Sequence, residues 1–213
     1  MGSAVNKVAM LDTMATMQEA HNAHVHPDWR TQRYEYYRAI WIECAELMDH
    51  FGWKWWKHQQ ADVDQVKLEL VDIWHFGLSD LLRDDALEPG IVDVLDVVPV
   101  DDPTDAALRA AVEDLACATL QAKAFAIAPF ARVMQLLPLP FDELFRLYVG
   151  KNVLNEFRQD HGYKAGTYLK TWTGREDNEH LIELLDDIID PATAVKDLYD
   201  MLEGRYEAAK TAS

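Results

Sequence analysis

The chain has 213 residues, 49% of them hydrophobic, and carries a formal charge of −17. That length buries a core in a single domain spanning residues 1–213. The charge disfavours duplex nucleic acid and anionic membranes as partners, leaving room for a small anion held by a metal and a local basic patch. Cys44 and Cys117 have no metal-type spacing and fit a reduced, cytoplasmic setting. No signal peptide or membrane span is evident, since the longest apolar run, 124–131, is short and contains Pro129.

Residues 5–24 read as a helix, with Val8, Leu11, Met14 and Met17 at apolar spacing. Gln18 and Asn22 follow four apart, so their amides can project together. An amide offers a donor and an acceptor at once, which suits reading a base; two exposed amides are the plainer alternative. His21, His24 and His26 lie near, but no cysteine or fixed histidine pair supports a metal there.

Residues 34–50 form a second helix, stopped by Gly52. On its wheel Glu43 shares a stripe with Tyr36, Ala39, Ile40 and Leu47, where a carboxylate is costly unless paired or liganded. A third helix runs from an N-cap at Asp64 to about Arg83. Its acids Glu69 and Asp72 repeat the spacing of Glu43 and Glu46, and residues three apart share a face. A solvated acidic face is the competing reading of this helix. If a turn joins the pairs, four carboxylates meet and repel unless a cation neutralises them. Oxygen-only ligands favour a hard ion, and Mg²⁺ is the usual one where phosphates are handled. Between the pairs lies Gly52-Trp53-Lys54-Trp55-Trp56-Lys57. Its indoles are candidates for core or for stacking on a base or sugar.

Residues 84–105 hold eight acids, no lysine or arginine, and three prolines. They read as an acidic connection or insertion and the best candidate for a hinge or flap. Thr104 can cap an Ala-rich helix to about Ala128, interrupted by Pro129 and resumed to Leu137. Residues 141–161 form the next long helix, and 176–189 and 192–209 are amphipathic pieces separated by Pro191. Strand patterns are scarce, so the class is all-α: a helical bundle around a four-carboxylate metal site.

Residues 146–175 carry six basic side chains against two acids. Lys151, Asn155 and Arg158 share a helical face, followed by Gly162-Tyr163-Lys164 and Tyr168. Such donors suit phosphate oxygens; pairing with surface acids is the alternative, worth little stability. Acids for Mg²⁺, basic groups and an aromatic-amide pocket together suit a nucleoside triphosphate.

At these residues the sequence resembles the dimeric all-α dUTPases, within the all-α NTP pyrophosphatases that include MazG-type enzymes. The resemblance lies in Glu43-x-x-Glu46, the tryptophan block, and Glu69-Leu70-Val71-Asp72-Ile73-Trp74-His75-Phe76. It continues in Lys151-Asn152-x-Leu154-Asn155-x-Phe157-Arg158-Gln159, Gly162-Tyr163-Lys164 and Glu176-Asp177-Asn178. It implies a homodimer that hydrolyses dUTP to dUMP and pyrophosphate, with dUDP open as a second substrate. Glu43, Glu46, Glu69 and Asp72 would hold Mg²⁺, and Glu43 would deprotonate the water attacking the α-phosphorus. Gln18, Asn22 and a tryptophan, with Trp53 and Trp56 as candidates, would face the uracil. Phe76 would pack on the deoxyribose. Lys151, Asn155, Arg158, Tyr163, Lys164 and Tyr168 would hold the phosphates. The alternatives are a pyrophosphatase for dCTP or a modified deoxyuridine nucleotide, and an idle helical interaction protein.

Overall fold

Apolar periodicity becomes helix almost throughout. The computed structural model describes residues 2–186 and 194–212. These hold nine α-helices, one 3₁₀ turn and one two-stranded hairpin, so the fold is all-α. The chain divides into two compact units, Met1–Phe145 and Arg146–Ser213.

In the first unit, α2 (Tyr36–Phe51) packs along α3 (Val63–Arg83), with α1 (Gly2–Val25) against α3 and α5 (Asp105–Ala122) against α2. Helix α3 is central. Apolar Val66, Leu70, Ile73 and Trp74 are fully enclosed, and so are the acids Glu69 and Asp80, at 5% and 4% exposure. A solvated acidic face is therefore not what this helix has. Its N-cap is Asp62, whose carboxylate accepts from the Gln65 N–H at 3.2 Å; Asp64 lies inside the first turn. Gly52 ends α2 at φ 92°, and Thr104 caps α5 by accepting from the Ala107 N–H.

Helix α5 stops earlier than its alanine content suggests, at Ala122, where Lys123 turns left-handed at φ 53°. Helix α6 (Ile127–Leu136) then takes Pro129 into its first turn, where a missing N–H is tolerated. The acidic segment is not a loose flap. Its short α4 (Ile91–Leu95) buries Val92 and Leu95, the Val100 N–H donates to the Gln135 carbonyl at 3.0 Å, and Asp96 pairs with Lys7 at 2.6 Å.

The link between α5 and α6 is fastened from α3. Asp80 accepts from the Phe125 N–H at 2.8 Å and from Arg83 at 2.6 Å. Trp74 and Phe130 stack on each other at 5.7 Å, and the Phe125 ring packs against both, at centroid distances of 5.9 and 5.3 Å. Gly77 leaves room for it: a Cβ there would lie 2.7 Å from the ring. Gly77→Ala should therefore lose about 1–3 kcal/mol by overpacking. Urea titration checks this, and an unchanged midpoint would show that the ring has space to retreat.

The boundary between the units falls within α7 (Phe141–Asp160). In the second unit a hairpin, β1 (Thr171–Trp172) with β2 (Arg175–Glu176), turns through Thr173 and Gly174, both at positive φ as a type I′ turn requires. Then come α8 (Asp177–Asp186) and α9 (Ala194–Ala212). The expected run of α8 to Ile189 and the break at Pro191 fall outside the described residues. Phe157, Trp172 and Tyr206 form the aromatic centre of this unit, with the Phe157 ring 6.0 Å from Trp172 and 5.4 Å from Tyr206.

Candidate active site

The α2–α3 pairing brings Glu43, Glu69 and Asp72 together, each offering a carboxylate oxygen within 4.8 Å of the others. Glu69 is buried, and Glu43 and Asp72 are half-buried. Glu46 stands outside this trio and is exposed, though its charge still acts on Glu43. Burial, then the charges of Asp72, Glu69 and Glu46, push the Glu43 carboxyl far above the usual range, and a hydrogen bond with Glu69 adds to this. The His50 imidazole lies 3.4 Å from Glu69. Three oxygen donors that repel one another in a partly dry setting suit a hard divalent cation.

One helical turn away a cleft opens, with a volume of about 340 Å³. Ala39, one turn before Glu43, and Phe76, one turn after Asp72, line it together with Tyr36, Trp29, His21 and Asn22. Asn22 accepts from the Gln18 amide at 3.1 Å and donates to the Ser79 hydroxyl at 3.0 Å. Gln18 also donates to Ser79 at 3.0 Å, and its carbonyl oxygen meets His75 Nδ1 at 2.7 Å. The Ser79 hydroxyl donates to the His75 carbonyl. Gln18 is thus an internal residue behind Asn22, and only Asn22 reaches the cleft wall. Neither His75 nor Ser79 stands out in the sequence as a site residue. Their signal is a polar pair four apart on α3, matching the pair at 18 and 22.

The tryptophan block is not core. Trp53, Trp55 and Trp56 are 44%, 89% and 57% exposed and pack edge to face. Gln59 shapes their loop, its amide oxygen accepting from the Trp53 and Lys54 N–H groups at 3.1 and 2.8 Å. Asp49 takes the Trp53 indole N–H at 3.1 Å and the Lys54 ammonium on the same oxygen. Neither Trp53 nor Trp56 is among the residues lining the cleft.

The second unit gathers the basic residues around a buried acid. Arg158 grips both oxygens of Asp177 at 2.8 Å, and the Tyr168 hydroxyl donates to the same carboxylate at 2.8 Å. Asn155 accepts from Arg158 at 3.0 Å, and Lys151, 1% exposed, donates to Asn178 at 2.9 Å. Burial alone would raise the Asp177 carboxyl, but Arg158, Tyr168 and Lys151 outweigh it and hold it below its usual range. Arg158 and Lys151 are thus held at an internal anion, whereas Arg146, Lys170 and Arg175 pair with surface acids. Asp177 and Asn178 are quoted above only as part of a motif, without a role. Tyr163 and Lys164 are exposed, on a turn made by Gly162 at φ 87°.

A protein-family model described as dUTPase matches residues 10–163. No curated protein matches the chain. Among the described residues no helix is long and apolar enough to cross a membrane. The match takes in the acid trio, the cleft with its amide pair and the tryptophan loop, and it falls on a helical fold, so the chain belongs to the all-α dUTPase family and is a dUTP diphosphatase.

Proposed function

We propose that this dUTPase is Mg²⁺-dependent and cleaves dUTP to dUMP and pyrophosphate by water attack on the α-phosphorus. The observation that supports it best is the convergence of Glu43, Glu69 and Asp72 beside a cleft large enough for a nucleoside. The oxygen-only trio would hold the ion, and Glu46 is assigned as a fourth carboxylate for it. When bound, Mg²⁺ draws charge from the phosphate oxygens and lowers the pKa of a nearby water. Once the trio is neutralised, Glu43 ionises and can accept the proton of the attacking water.

In the cleft, Phe76 packs on the deoxyribose and leaves no comfortable place for a 2′-hydroxyl. Asn22 reads the uracil edge. Gln18 acts through Asn22, because its own amide is committed to Asn22, Ser79 and His75. Trp53 and Trp56 are assigned to covering the base. Lys151, Asn155, Arg158, Tyr163, Lys164 and Tyr168 are assigned to the phosphates, with Lys164 and Tyr163 supplying the solvent-facing groups. The enzyme works as an intracellular homodimer.

A nucleotide panel tests this reading: dUTP, dUDP, dCTP, dTTP and UTP, each with Mg²⁺ and with excess chelator. Pyrophosphate from dUTP is expected, with turnover falling to background in chelator. Release of orthophosphate from dUTP would move the attack away from the α-phosphorus. Undiminished turnover in chelator would remove the metal from the mechanism.

A further inference from the structure

A second cleft, of about 380 Å³, lies in the first unit and shares Tyr34 and Glu35 with the nucleoside cleft. Three separate stretches of chain bring cations to it: Arg30 and Arg33 after α1, Arg83 at the end of α3, and Lys123 at the end of α5. In a chain with a net charge of −17 such a gathering is unusual. The acids nearby are already matched. Arg30 pairs with Glu19 and Asp85, Arg83 with Asp80 and Asp84, and Glu35 with Arg38 and the Tyr37 hydroxyl. Among the described residues the Arg33 and Lys123 side chains make no hydrogen bond or ion pair, and they are the two cations of the cleft not committed to an acid. Both hold positive φ, 54° and 53°, a conformation uncommon for such residues. The link bearing Lys123 is further fixed by the bond from Phe125 to Asp80.

We infer that this cleft is a second anion site, distinct from the acid trio, which takes a small polyphosphate, free or carried by a nucleotide. Arg33 supplies a planar fork for two phosphate oxygens and Lys123 a point charge. Arg30 and Arg83, held by their own acids, form preorganised walls.

Calorimetric titration of the whole chain with inorganic tripolyphosphate, in chelator and at low salt, tests it. Without a divalent ion the acid trio repels this probe. Binding is expected in the wild-type protein and should weaken by about tenfold or more in Arg33→Asn/Lys123→Asn. Asparagine tolerates positive φ, so the fold should persist, which a thermal melt verifies. The single variants provide the same comparison should the double variant melt early. Turnover of dUTP without added polyphosphate should be unchanged in all three. A nucleoside triphosphate that binds no tighter than tripolyphosphate assigns the site to the phosphate chain itself. One that binds tighter, and loses that affinity in the same variants, assigns it to a nucleotide. Absence of wild-type binding overturns the inference, as does equal affinity in the wild type and the single variants.

Discussion

Glu43→Gln should lower dUTP turnover by about 10²–10⁴-fold while making the metal-free protein harder to unfold. The two effects have one cause. Glu43 carries a carboxyl that its surroundings resist ionising, because burial and three neighbouring acids act on it together. Its folded pKa lies above the ordinary value of 4.5. At this group the folded chain therefore holds a proton that the unfolded chain releases, and Glu43's contribution to stability is greatest below pH 4.5. It is lost as pH rises from there through the raised value. Glutamine keeps the shape and removes the charge, so the slope of stability against pH in chelator should flatten. Melts across that range, set beside steady-state rates with Mg²⁺, read both effects. Wild-type turnover in the variant would remove Glu43 from its role as base, and an unchanged pH slope would show that the trio does not carry the strain. A gain in stability with a loss of activity is what a site shaped for charge, and not for folding, should show.

Arg158→Ala should cost the second unit about 3–5 kcal/mol, the usual result of removing one partner of a buried ion pair. Asp177 is fully buried and takes two of its hydrogen bonds from that guanidinium. Its folded pKa lies below the ordinary 3.8, so its contribution is complete above that pH and is lost as pH falls through the lowered value. The variant should lose this acid-sensitive part of the unfolding curve. Arg158→Lys keeps the charge but not the two-pronged grip, and should fall between the two. Denaturant melts from neutral to acid pH test all three proteins. A change below about 1 kcal/mol in the alanine variant would mean that Asp177 finds other partners. Loss of activity in Arg158 variants must be read with their melting curves, since the side chain proposed to meet the phosphates also holds Asp177.

Much of the first unit was legible because it is written in local pattern. The stripe of Ile40, Glu43 and Leu47, the stop at Gly52 and the cap at Thr104 each follow from residues within one or two turns. Convergence of the acids was legible from the doubled spacing. A helical wheel gives direction but not depth, so the exposure of Glu46 was not. The amide pair at 18 and 22 was legible as a pair. Its orientation was not, because Ser79 and His75 lie some 57–61 residues further along the chain. Acid content in 84–105 suggested looseness, whereas Val92 and Leu95, three apart, supply a small apolar face that docks it. Lys123 ends its helix in a left-handed turn with no glycine to announce it, and Asp177 meets Arg158 only after the hairpin folds back.

The tryptophans divide into two optical classes. Trp29, Trp74 and Trp172 are enclosed, while Trp53, Trp55 and Trp56 stand in water at the loop after α2 and Trp41, on α2 itself, is also exposed. The open indoles emit at longer wavelengths and are the ones a dissolved quencher reaches. The protein thus carries a built-in fluorescent reporter, whose red edge follows events at α2 and the loop after it and whose blue edge follows the integrity of the core.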